Sequence, residues 1–174
     1  MSRLACPARP ARFSPLAWLA PLALSACATW VAYGPGELRT GQPRAAVLAS
    51  MGPASLELLH PGGGVRLVYA RGPMGRETYM VDLDAAGRVT AWHQALGTAQ
   101  FERLQPGLSR EALLFELGPP AERRPAGWAP GEVWSWRYHN NDCLWFQAGL
   151  DEQGRYTGGG YGIDPRCDAG DKVP

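Results

Sequence analysis

One stretch of this chain occurs twice. Leu38-Arg39-Thr40-Gly41-Gln42-Pro43-Arg44-Ala45-Ala46-Val47-Leu48-Ala49-Ser50-Met51-Gly52-Pro53 returns 66 residues later as Leu104-Gln105-Pro106-Gly107-Leu108-Ser109-Arg110-Glu111-Ala112-Leu113-Leu114-Phe115-Glu116-Leu117-Gly118-Pro119. Leu, Gly, Arg, Ala, Leu, Gly and Pro recur in register. Further on, Asp84-Ala85-Ala86-Gly87-Arg88 is matched by Asp151-Glu152-Gln153-Gly154-Arg155 at almost the same offset. A repeat sets the architecture before any single element does, and two copies are too few for a solenoid. The expectation is a tandem pair fused into one globule.

Each copy opens with helix signals. Ser109 suits an N-cap, where its hydroxyl accepts from a free N–H of the first turn, and Glu111 suits the positive end of the dipole. Pro43 suits N1, where no N–H is needed. Val47, Leu48 and Met51 form one apolar face, and Leu113, Leu114 and Leu117 form the same face in the second copy. Gly52 and Gly118 suit the left-handed position after a helix, with Pro stopping continuation.

After each helix the pattern turns to strand. Val65 to Ala70, Glu77 to Leu83 and Arg88 to His93 read as strands in the first copy. Glu132 to Tyr138, Cys143 to Leu150 and Arg155 to Tyr161 do so in the second, and a shorter strand precedes each set near Ser55–Leu59 and Ala121–Arg124. The Asp…Gly turns fit hairpins, and His139-Asn140-Asn141-Asp142 offers two Asn where a tight turn needs positive φ. The predicted fold class is therefore α+β: two tandem helix-then-antiparallel-meander repeats forming one sheet-and-helix globule.

The N-terminal segment gives an address. Arg3, Arg9 and Arg12 precede a short apolar run, Leu16 to Leu24, which ends in Leu24-Ser25-Ala26-Cys27. A basic start, an apolar centre and small residues before a cut site make a secretory signal, and the run falls short of the ~20 residues that span a bilayer. A Cys directly after the small residues resembles the lipobox of bacterial lipoproteins, which implies a covalent lipid on Cys27. An ordinary secretory signal with an incidental Cys is the plainer alternative. Residue 28 is Ala; an Asp there resembles an inner-membrane retention signal, so the expected location is the outer membrane, with the domain facing the periplasm.

Processing at Cys27 changes the charge of what remains. Three of the 17 basic residues and none of the 16 acidic ones leave with the signal, so a formal charge of +1 becomes −2. That balance argues against nucleic acid, which calls for basic surface. Attachment would come from the lipid itself, at roughly 0.8 kcal/mol per buried CH₂. The expected organisation is 1–26 signal peptide, 27–37 lipidated tether, 38–93 first repeat, 94–103 linker, 104–167 second repeat and 168–174 flexible tail. Cys143 and Cys167 lie in a compartment where disulfides persist, so we expect a bridge, with two unpaired thiols as the alternative.

Leucine, two residues, Gly, then Arg-x-x-Val/Leu-Leu…Leu/Met-Gly-Pro, followed by strands and an Asp-x-x-Gly-Arg turn, resembles the SmpA/OmlA, or BamE-like, domain. The likeness covers Leu38 to about Tyr161 as two copies, together with the lipobox. It implies a helix before an antiparallel sheet and a role in outer-membrane protein assembly or envelope integrity. A tandem version is also similar in fold to the β-lactamase inhibitor protein. Gln42 and Pro43 stand where the family has Met and Thr, and no binding residue is carried over.

No catalytic set emerges. His60, His93 and His139 share no metal-ligand spacing, and Gly62-Gly63-Gly64 precedes a strand rather than a helix N-terminus, so it is no phosphate loop. No cofactor or metal is expected, and the protein is expected not to be an enzyme; an envelope hydrolase built on a histidine in a cleft is the competing class. Trp134, Trp136 and Tyr138 alternate onto one sheet face. They are candidate protein-binding residues, since Trp and Tyr are favoured at interface hot spots, or they pack beneath the helix of their own repeat. The expected partners are a membrane through the lipid and an envelope protein. The alternative function is an inhibitor or sensor that binds a periplasmic enzyme, peptide or cell-wall fragment through the aromatic face.

Overall fold

The computed structural model describes residues 34–167; Cys27, the expected signal peptide, most of the expected tether and residues 168–174 lie outside the described residues. Helix α1 (Arg44–Met51) leads into strands β1 (Leu56–Leu59), β2 (Val65–Ala70), β3 (Thr78–Leu83) and β4 (Val89–Gln94). A one-turn helix α2 (Thr98–Phe101) follows, then α3 (Arg110–Leu117) and strands β5 (Glu122–Pro125), β6 (Glu132–Arg137), β7 (Leu144–Leu150) and β8 (Tyr156–Ile163). The strands form two separate four-stranded antiparallel sheets, β1-β2-β3-β4 and β5-β6-β7-β8, so the molecule is α+β with the same order of elements in each half. The short helix α2 was not anticipated within the linker, and it carries Phe101 into the core.

Local chemistry explains the helix ends. Ser109 Oγ accepts from Ala112 N–H at 3.2 Å and caps α3, whereas Pro43 occupies the N-cap of α1 instead of N1 and offers no side-chain bond. Gly52 (φ 77°, ψ −166°) and Gly118 (φ 73°, ψ −173°) close the two helices by donating to Leu48 O and Leu114 O. Their φ is positive as expected, but their ψ is extended rather than left-handed helical. The following Pro53 and Pro119 explain this, because a residue before Pro is pushed out of helical ψ. Only glycine holds that conformation comfortably.

The turns divide in the same way. Asp84 Oδ1 accepts from Ala86 and Arg88 N–H, Asp151 Oδ1 accepts from Arg155 N–H, and Gly87 and Gly154 take φ of 72° and 73°. In the β6–β7 hairpin the positive φ belongs to Cys143 (56°), not to Asn140 or Asn141. Asn140 acts instead through its side chain: Oδ1 accepts from Asp142 and Leu144 N–H while Nδ2 donates to Tyr138 O and Leu144 O.

The layers stack in the order α1, first sheet, α3, second sheet. Val47 and Met51 of α1 pack on Leu67, Tyr69, Val81, Leu83 and Val89. The opposite face of that sheet carries Val68, Met80 and Ala95, and α3 covers it: Phe115 lies against Arg66 and His60, and a Cβ on Gly118 would fall 2.8 Å from Thr78 Cγ2 and 3.1 Å from Val68 Cγ1. The other flank of α3, Leu113 and Leu117, enters the core of the second sheet. One helix thus serves two sheets.

Two buried ion pairs lock the halves together. Arg66 Nε and Nη2 donate to Asp82 at 2.5 and 2.8 Å, and Nη1 reaches Phe115 O of the other half at 2.8 Å. Arg137 Nε and Nη2 donate to Asp164 at 2.5 and 2.8 Å, and Nη1 reaches Pro73 O of the first half at 2.9 Å. Each guanidinium is fixed by a bidentate carboxylate, and its remaining donors satisfy a carbonyl across the junction.

Candidate functional site

The structure corrects the aromatic-face expectation. Trp134, Trp136 and Tyr138 are 2%, 1% and 6% exposed and belong to the core beneath α3. Trp136 Nε1 donates to Gly118 O at 3.0 Å, Trp134 Nε1 donates to Glu132 Oε2 at 2.6 Å, and Arg123 stacks over the Trp134 ring at 4.2 Å. A partner could touch these rings only by removing the helix that covers them. The physical reason lies in α3: an apolar stripe on a helix needs an apolar sheet face, and this face supplies it.

What no helix covers in the second half is its other face and its edge. Alternation along β6, β7 and β8 places Val133, Ser135 and Arg137, then Trp145 and Gln147, then Gly158, Gly160 and Gly162 on the face away from α3. Near β6 and β7 this face is a closed polar layer. Arg137 lies 5.2 Å from the centre of the Trp145 ring, and the Gln147 amide, with its oxygen toward them, accepts from Trp145 Nε1 (3.2 Å) and Arg124 Nη2 (3.3 Å). Burial alone would raise the Asp164 carboxyl, but hydrogen bonds from Arg137 and from Arg166 N–H, with the charges of both arginines, hold it below the ordinary carboxylate value.

Toward β8 the layer gives out. A Cβ built on Gly158 or Gly160 would meet nothing within 4 Å, while one on Gly162 would meet the Gln147 amide at 2.7 Å. Gly159 points to the core side, where the Phe146 ring fills the space a side chain would need. Tyr161 and Ile163, on that same side, remain 47% and 61% exposed. Backbone groups alternate between the two sides of a strand. Asp164 N–H donates inward to Cys143 O at 2.9 Å, so Gly160 and Gly162 address β7 and the N–H and C=O of Gly159, Tyr161 and Ile163 point outward. Among the described residues nothing pairs with those outward groups; the edge is closed only at its start, where Tyr156 exchanges bonds with Gly107 and Leu108. A disulfide joins Cys143 to Cys167, with Cα atoms 6.3 Å apart, and ties the segment after β8 to the β6–β7 hairpin.

A second concave feature lies between the halves. It has a volume of about 530 Å³ and is lined by His93, Gln100, Arg103, Gln105 and Glu116, with Leu117 among its apolar walls. Burial, and next the charge of Arg66, hold the His93 imidazole below its ordinary value, so it is neutral at neutral pH. The other histidines lie elsewhere: His60 packs edge-on to Phe115 and accepts from Gly62 N–H, and His139 meets Glu77 at 3.2 Å. Among the described residues no group of three or more His, Cys, Asp or Glu side chains could hold a metal ion. The cleft is lined by the His93 imidazole and the Glu116 side chain, and its lining has no serine, threonine, cysteine or lysine.

No family model matches the chain, and no curated protein does. Among solved structures, similarity is found to a DUF4309 family protein (YjgB) from Bacillus subtilis, at 12% identity over 71% of this chain and 79% of that one, with a TM-score of 0.29. An extracellular protein containing an SCP domain from Bacillus anthracis gives 12% identity over 73% of this chain and 45% of that one, also with a TM-score of 0.29. No helix among the described residues is long and apolar enough to cross a membrane.

Proposed function

We propose that this chain is a lipid-anchored protein of the bacterial outer membrane, attached through Cys27 and built from two tandem BamE-like units, which binds another envelope protein and catalyses nothing. The observation that carries protein binding is the unpaired edge of β8, flanked by Tyr161 and Ile163. An open edge with exposed apolar side chains is a template for another chain, and native proteins usually blunt such edges with charge, Pro or a covering element. The anchor rests on the Leu24–Cys27 motif. The tandem reading is supported by geometry that recurs: Tyr69 OH donates to Gly52 O as Trp136 Nε1 does to Gly118 O, and Pro43 bridges Arg88 as Ser109 bridges Arg155.

Crosslinking in intact envelopes, followed by affinity purification, tests this reading with wild type and Cys27→Ala side by side. Wild type should fractionate with the outer membrane and recover an envelope protein. Cys27→Ala should leave the membrane fraction and recover much less of it. Equal membrane attachment of both forms refutes the lipid anchor, and recovery of no envelope protein by wild type refutes the binding role.

A further inference from the structure

Resting on the protein-binding reading, we infer that the partner binds by adding an extended strand to β8, and that this strand carries large, preferably aromatic, side chains at alternate positions. Two features meet at this edge. The outward N–H and C=O groups of Gly159, Tyr161 and Ile163 form a ladder with nothing paired to it among the described residues. Strand addition uses such a ladder for affinity and alternate side chains for specificity. Beside it, Gly158 and Gly160 leave an empty lane on the face away from α3, bordered by the Gln147 amide.

The lane defines the ligand. On a sheet face, cross-strand neighbours fill the space above one another, and an aromatic ring packs over an edge glycine where no side chain stands. A second copy of β8 would set glycine against glycine and leave the lane empty, so the complementary occupant is a different strand with rings at every second residue. Its intervening residues would turn toward Tyr161 and Ile163. The corresponding edge of the first half lacks this pairing of features: the residues of β4 and its continuation that match the β8 glycines are Ala91, His93 and Ala95, whose face lies toward α3 and the cleft.

The test uses the full chain purified in detergent and a fluorescein-labelled, end-blocked peptide alternating threonine and tyrosine, compared with a peptide that has glycine for each tyrosine. Fluorescence anisotropy should show the tyrosine peptide binding at least about tenfold more tightly than the glycine peptide. Ile163→Pro removes one outward N–H at an edge position where Pro is tolerated, and it should abolish binding with the melting curve unchanged. Gly160→Val is the second variant: its Cβ enters open space at a φ outside the glycine-only range, so it should fold and weaken binding by about tenfold by filling the lane. The inference is overturned if the tyrosine peptide does not bind, if both peptides bind equally, if Ile163→Pro folds and binds as wild type does, or if Gly160→Val binds as wild type does. It is also overturned if β8 pairs only with a second copy, seen as self-association lost in Ile163→Pro. A partner recovered from envelopes but crosslinked away from β8 removes this inference and leaves the protein-binding reading intact.

Discussion

The first sheet meets a helix on both faces and the second on one. Matched positions show how this difference is written: Val68, Met80 and Ala95, which lie on the α3-covered side of the first sheet, correspond to Ser135, Gln147 and Gly162 in the second. A strand buried on both sides reads as a nearly continuous apolar run, and Val65-Arg66-Leu67-Val68-Tyr69-Ala70 does so, broken only by an arginine held in a buried ion pair. Val133-Trp134-Ser135-Trp136-Arg137 alternates instead: its rings meet α3, while Ser135 and Arg137 on the other face are buried among hydrogen-bonded and ion-paired neighbours rather than under a helix. Each helix packs on its own sheet, and α3 also packs on the sheet before it. That arrangement leaves the last sheet with one face that no helix covers and an open edge, and the glycines and the buried arginine layer lie there.

The sharpest way to break the comparison is to remove a core ring from the second half. Trp136→Ala should cost about 3–5 kcal/mol, the usual range for deleting a large buried aromatic. Because α3 is shared, the loss should lower one cooperative transition for the whole domain, and Tyr69→Ala should do the same from the first half. Thermal denaturation followed by circular dichroism and by tryptophan fluorescence is the measurement. Two separated transitions in either variant would mean that the halves fold independently and that the stacking through α3 contributes little.

The buried ion pairs come next. Asp164→Ala leaves Arg137 buried without its carboxylate and should cost about 3 kcal/mol, as should Asp82→Ala for Arg66. Their pH dependence sharpens the contrast at Asp164. Its folded pKa is depressed, so its contribution is fully present above the unfolded value of about 4 and is lost as pH falls through the folded value. Urea denaturation between neutral pH and strong acid should therefore show wild type losing stability in acid, and Asp164→Ala losing less. Parallel pH profiles for the two proteins would show that Arg137 does not stabilise the charged form.

Much of the fold was legible because its signals are local. Gly52-Pro53 and Gly118-Pro119 end helices, Asp84 and Asp151 make turns with their own side chains, and the period of two locates the strands. What escaped was set by packing rather than by local sequence. Trp134, Trp136 and Tyr138 alternate in the same way whether water or a helix faces them, so the pattern named the face and not its cover. The reach of Arg66 to Phe115 O and of Arg137 to Pro73 O spans 49 and 64 residues, beyond any local motif. That β8 is an edge depends on strand order.

The smallest expected difference lies at the helix starts, and it tests whether the two halves are stabilised alike despite their different first residues. Ser109 accepts from Ala112 N–H and satisfies one of the donors that an α-helix leaves free, so Ser109→Ala should cost about 1 kcal/mol. Pro43 makes no such bond; it contributes a φ of −73° already set by its ring, so Pro43→Ala should cost only about 0.5 kcal/mol, mainly by loosening the unfolded chain. Pro43→Ser restores a hydroxyl while releasing the ring, and these effects oppose each other, leaving stability near that of wild type. Equilibrium denaturation of the three variants measures this directly. A Pro43→Ala loss equal to or larger than that of Ser109→Ala would mean that α1 depends on rigid entry of its chain more than α3 depends on its cap, and the two helices would then be equivalent in shape but not in what holds their first turns.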